Sequence, residues 1–123
     1  MTVQIASVTF DCSDALVVGS FWSAAFGRPL DPKGSSEYAA IGFAGRRDAS
    51  GWSPVDREDD PTFLFVQVPE GKVAKNRQHF DLRAVGDIPA EVHRLTDLGA
   101  RLVRDDHGQI VMADPEGNEF CVE

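Results

Sequence analysis

This 123-residue chain has no apolar run near the roughly 20 residues that a membrane-crossing helix needs. Its longest wholly apolar stretches are a few residues, as in Ala15-Leu16-Val17-Val18, so no membrane partner is expected. The opening Met1-Thr2-Val3-Gln4-Ile5 lacks a basic start and a long apolar region. No signal peptide is therefore expected, and the cytoplasm is the expected location. Positive charge is also scarce: 12 Lys and Arg stand against 20 Asp and Glu, a net charge of −8. Nucleic-acid binding needs clustered basic residues to displace phosphate counterions, so that class of partner is excluded. Cysteine is limited to Cys12 and Cys121, with no C-x-x-C pair. That excludes a disulfide framework and a cysteine-rich zinc module, and leaves two reduced thiols in strand-like segments.

What is present is an ordinary globular composition, with 42% hydrophobic residues. A chain of this size buries enough surface to fold without a disulfide or a metal. Residues 3–11 are rich in β-branched side chains, with Val8 and Phe10 alternating against Ser7, Thr9 and Asp11, which predicts a strand. Ser13-Asp14 offers a helix N-cap, Val18, Phe21, Trp22 and Ala25 follow at helical spacing, and Gly27 supplies the stop. The predicted helix is 14–27. A short strand or turn at 28–30 and strands at 38–43 and 62–68 follow.

The second half repeats this order. A strand at 78–85 precedes a helix at 87–99, capped by Asp87, with Pro89 in its first turn and Gly99 at its end. Strands at 100–104, 109–113 and 119–122 complete it, the last two joined by the turn Asp114-Pro115-Glu116-Gly117-Asn118. The helix-ending Gly27 and Gly99 lie 72 positions apart, and at that offset Ser7 meets His79, Phe10 meets Leu82 and Leu30 meets Leu102. Agreement of strand face, helix face and helix stop points to a duplicated unit. Between the copies, 45–61 reads as a long polar loop. Trp52 sits within it, as a lid over a ligand or as an anchor for the loop.

Three segments carry a family resemblance. Val8-Thr9-Phe10-Asp11-Cys12-Ser13-Asp14 leads into a helix containing Phe21-Trp22. Lys75-Asn76-Arg77-Gln78-His79-Phe80-Asp81-Leu82 opens the second copy, and Ala113-Asp114-Pro115-Glu116-Gly117-Asn118-Glu119-Phe120 closes the chain. Together they resemble the vicinal oxygen chelate superfamily, in its glyoxalase/bleomycin-resistance-like branch, over nearly the whole length. The resemblance implies an α+β domain spanning 1–123, with two βαβββ modules at about 1–70 and 75–123. Their sheets would curve around a central pocket with the helices outside. It also implies a homodimer, and a structural hydrogen-bonding role for Asn76.

Metal-dependent members hold a divalent cation from the first and last strands of each module. By resemblance the matching positions are Ser7, Gln67, His79 and Cys121. The family usually shows His or Gln at the first of these and Glu at the last, so only His79 is retained. Serine is a poor ligand and a neutral amide a weak one, so no metal cofactor is expected. The alternative is a zinc ion on His79 and a Cys121 thiolate, completed to about four ligands by water.

Strand parity sends Phe80, Leu82, Phe120 and Val122 toward the helices. It leaves His79, Asp81, Arg83, Glu119, Cys121 and Glu123 on the pocket side. Asp81 and Arg83 can pair there or orient a polar ligand, with His79 and Arg83 contributing more to binding than Cys121. The expected function is binding of a small organic ligand without catalysis. The alternatives are a metal-dependent lyase, isomerase or dioxygenase, and a metal-free enzyme using His79 as acid or base.

Overall fold

A computed structural model of the chain describes residues 2–3, 5–44, 47–48, 51–52 and 61–123. The chain divides into two units, Met1–Glu70 and Gly71–Glu123. No helix among the described residues is long and apolar enough to cross a membrane.

The first unit runs β1 (Ser7–Cys12), α1 (Ala15–Phe26), β2 (Tyr38–Ile41), β3 (Arg47–Asp48), β4 (Gly51–Trp52) and β5 (Thr62–Gln67). The strand expected from residue 3 begins only at Ser7, paired with Thr62. The residue before Thr62 is Pro61, which has no N–H to continue a ladder, and Val3 and Ile5 stay exposed. The Asp14 carboxylate accepts the Leu16 and Val17 N–H groups, and Gly27 ends α1 at a φ of 65°. Both caps fall where the sequence places them.

In the main sheet β5 lies between β1, to which it is parallel, and β2, to which it is antiparallel. The single bridge Leu30–Ile41 extends that sheet by one more position beside β2. Phe10, Trp22, Phe26 and Phe63 form an aromatic core, with Phe10–Trp22, Trp22–Phe26 and Phe26–Phe63 centroids 5.8, 5.1 and 5.0 Å apart. Gly19 lets α1 lie close on this sheet, since a Cβ there would meet Ala39 and Phe65 at 3.2 Å.

The loop expected at 45–61 lies mostly outside the described residues, which include a two-residue ladder pairing Arg47 with Trp52. Its base is held from residues 28–31. The Asp31 carboxylate accepts N–H groups from Gly42, Phe43 and Ala44, and Arg28 donates to the Pro61 carbonyl.

The second unit runs β6 (Asp81–Leu82), α2 (Ile88–Leu98), β7 (Arg101–Asp106), β8 (Gln109–Ala113) and β9 (Glu119–Val122), in the sheet order β6-β9-β8-β7. Asp87 accepts the Ala90 N–H at the start of α2, and Gly99 caps its end. The strand expected at 78–85 shrinks to Asp81–Leu82, paired in parallel with Cys121 and Val122 of β9. The residues before Glu119 belong to a turn and offer no ladder. In that turn the buried Asp114 carboxylate accepts N–H groups from Glu116 and Asn118 and the Asn118 side-chain amide. Gly117, at a φ of 85°, supplies the left-handed position.

The two units share one topology. Leu30 bridges Ile41, which pairs with Phe63; Leu102 pairs with Met112, which pairs with Phe120. The second strand of the βαβββ unit is thus a single bridge in the first copy and the full β7 in the second.

Candidate functional site

The second unit gathers the strongest chemistry. Asp81 lies directly across the parallel ladder from Cys121, and His79 stands two residues before it. His79 Nδ1 is 3.1 Å from Asp81 Oδ1, with both side chains substantially exposed. An ionised carboxylate can only accept, so in this pair Nδ1 carries the proton, and on a neutral ring Nε2 keeps its lone pair. Cys121 is 7% exposed. Ligand atoms of His79, Asp81 and Cys121 all lie within 4.8 Å of one another. Burial pushes the Cys121 thiol up from its ordinary pKa, and the neighbouring Asp81 carboxylate adds to that. The thiol is therefore a poor nucleophile at neutral pH, since the thiolate is the reactive form.

The sign of this coupling is testable. Asp81→Asn removes a negative charge beside the sulfur, so the thiol is expected to titrate at lower pH. Ultraviolet absorbance of the thiolate during a pH titration, in a Cys12→Ala background, reads this directly. An unchanged or higher midpoint would mean that Asp81 does not act on Cys121. The raised thiol also makes a stability contribution that is full below the unfolded thiol pKa and is lost as pH rises through the folded one.

Glu119, two residues before Cys121 on β9, makes contacts that composition and pattern do not predict. Its Oε2 accepts the Asn76 N–H at 2.9 Å and its Oε1 lies 3.3 Å from Lys72 Nζ. Partial burial pushes this carboxyl up, but the Asn76 bond and the Lys72 ammonium outweigh it and hold the group below its ordinary value. Asn76 thus serves through its backbone N–H. The sequence signals for Glu119 are its shared parity with Cys121 and its place in the closing Asp-Pro-Glu-Gly-Asn-Glu-Phe motif.

Of the remaining positions, Ser7 and Gln67 lie in the first unit. Ser7 pairs with Thr62 at one end of β1, while Gln67 pairs with Cys12 at the other. Gln67 shares the parity of Phe63 and Phe65, whose rings contact Phe10 and Phe26 on the aromatic side. Its Nε2 donates to the Ser13 carbonyl. Gln67 therefore faces away from the side that carries Ser7, and the two are not brought together. The residue in register with Thr9, as Cys121 is with Asp81, is Leu64. Phe63 and Phe120 correspond through the Leu30 and Leu102 pairings, and the residue after each is Leu64 and Cys121, so the same match follows independently. Arg83 does not pair with Asp81; its Nη2 lies 3.8 Å from Glu123, and its side chain is 85% exposed. The side chain of Trp52 lies outside the described residues.

This donor set does not fit the metal centre that the resemblance implies. Ser7 and Leu64 replace ligands in the first unit, and an aliphatic side chain has no donor atom. His79, Asp81 and Cys121 are near enough to reach one soft or borderline ion, but Cys121 would first have to lose a proton that its surroundings hold.

The architecture recurs in solved structures. A possible glyoxalase from Bacillus cereus is 16% identical, with 98% of each chain covered and a TM-score of 0.61. The fosfomycin resistance protein FosX from Mesorhizobium loti is 14% identical, over 100% of this chain and 92% of that one, with a TM-score of 0.67. The bleomycin-binding protein of Streptomyces verticillus, solved with copper(II)-bleomycin, is 16% identical over 99% and 96%, with a TM-score of 0.55. At such identities the likeness shows the α+β glyoxalase/bleomycin-resistance fold. No curated protein matches the chain in sequence. The sequence model of the glyoxalase-like domain matches residues 7–123, and the chain belongs to that family.

Proposed function

We propose that this chain binds a small organic molecule without the divalent metal of its metal-dependent relatives, and that His79, Asp81 and Cys121 contact the ligand. The observation that carries this reading is the pair of last-strand positions, Leu64 and Cys121, neither of which offers a carboxylate. The ligand-binding relative that holds copper(II)-bleomycin and the fosfomycin resistance protein support small-molecule recognition on this fold. The reading takes the chain as a cytoplasmic homodimer, a mass that light scattering checks.

A thermal-shift screen against small metabolites would supply a ligand, and calorimetric titration would then rank the residues. His79→Ala is expected to weaken binding about ten- to a hundredfold, the loss of one charge-assisted hydrogen bond. Arg83→Ala is expected to matter less than sequence parity suggests, because its guanidinium is solvated. Cys121→Ala is expected to cost the least. Binding that survives His79→Ala and Asp81→Ala unchanged would remove these residues from the site.

A second reading, a metal-free enzyme, draws on the same Asp81–His79 pair. Asp81 orients the ring and leaves Nε2 to take a proton from a bound molecule, as a general base must. Turnover of the bound ligand, lost in His79→Gln while binding persists, would favour it over simple binding.

A further inference from the structure

We propose that Glu119 is a positioning residue: by fastening the segment 72–76 to β9, it sets where His79 stands against Asp81 and Cys121. The inference rests on the reading of His79 as a site residue, but it concerns the protein without ligand.

Residues 71–80 contain no helix or strand, so nothing in a regular ladder fixes His79. Two bonds to β9 bracket it instead. On one side the Asn76 N–H donates to Glu119 Oε2 at 2.9 Å, and on the other the Cys121 N–H donates to the Phe80 carbonyl at 2.8 Å. The three residues 77–79, pinned at both ends, have few conformations, whereas the same span pinned at one end has many. The second bond belongs to the backbone of β9 and is present whatever the side chains are. The first depends on one carboxylate.

That carboxylate is itself braced. Lys72 Nζ sits 3.3 Å from Glu119 Oε1 and also donates to the Ala74 carbonyl. The Lys72 stem runs beside Gly117, where an added Cβ would lie 3.7 Å from its Cδ. The turn, the lysine and the carboxylate therefore form one clamp on the segment that carries His79. The Lys-Asn-Arg-x-His and Asp-Pro-Glu-Gly-Asn-Glu-Phe motifs, separate in sequence, meet at Glu119.

Nitrogen-15 NMR of the ligand-free chain tests this at mildly alkaline pH, where an ordinary imidazole is neutral. The ring nitrogen shifts of His79 report which nitrogen carries the proton, and His93 and His107 serve as internal controls. In the wild type His79 is expected to show a single, Nδ1-protonated form. Glu119→Ala is expected to move the Asn76 amide and to shift His79 toward the averaged pattern of the exposed His107, with the β8 and β9 amides in place. Glu119→Gln keeps an acceptor for Asn76 and is expected to restore the wild-type His79 signature. If Glu119→Ala does not fold, Lys72→Met is expected to shift His79 in the same direction by a smaller amount. A His79 signature unchanged in the folded Glu119→Ala protein, or in Lys72→Met where that is the variant used, would overturn the proposal. So would a Glu119→Gln signature as altered as that of Glu119→Ala. No ligand enters the measurement, so a failure of the binding reading leaves this outcome distinct.

Discussion

Replacing Trp22 with alanine is expected to cost about 3–5 kcal/mol of stability, the usual range for removing a buried large aromatic. Trp22 is 1% exposed and touches Phe10, Phe21 and Phe26, so its removal leaves a cavity that several rings would have to collapse into. Those rings are held by α1 on one side and by β1 and β5 on the other, and Gly19 already brings the helix as close to the sheet as the backbone permits. Relaxation into the hole is therefore limited, which places the expected cost toward the upper part of the range. Urea denaturation monitored by circular dichroism measures it. A loss under about 1 kcal/mol, typical of a surface substitution, would contradict the packing described here.

Asp114→Ala is expected to cost about 2–4 kcal/mol, because three donors lose a charged acceptor at a buried side chain. The carboxylate is 4% exposed and holds the Glu116 and Asn118 N–H groups and the Asn118 side chain. Alanine leaves these partly buried donors without their acceptor. Asp114→Asn keeps one acceptor oxygen and is expected to recover a substantial part of the loss. The same denaturation experiment reads both variants, and equal stability of Asp114→Ala and wild type would refute the role of this side chain in the turn.

Much of the fold is legible in the sequence because its signals are local. Asp14 and Gly27, and Asp87 and Gly99, carry the helix ends in their own side-chain and backbone chemistry. The duplicated order of strand, helix and glycine is visible at an offset of 72, and the Leu30 and Leu102 pairings confirm that match. Strand register is different, since it depends on partners tens of residues away. Gln67 is the polar residue nearest the end of its strand, yet a one-residue change in parity moves a side chain to the other face. Pairing with Cys12 puts it on the aromatic side, and Leu64 takes the position that corresponds to Cys121.

The candidate site divides along the same line. The contact of His79 with Asp81 matches what alternation suggests, although His79 itself stands outside the strand. The choice of Asp81's partner does not, because Arg83 finds Glu123 only once β6 and β9 are aligned. The partner of Glu119 has no local signal either: it is a backbone N–H, which any residue at position 76 other than proline would supply.

The proposal that the site works without a bound divalent cation is tested most directly by elemental analysis of the chain purified without added metal. With Ser7 and Leu64 in the first unit and a protonated Cys121 in the second, the expected result is far less than one metal ion per chain, with the same value in His79→Ala. One zinc, iron, manganese or other divalent ion per chain, lost in His79→Ala, would contradict it.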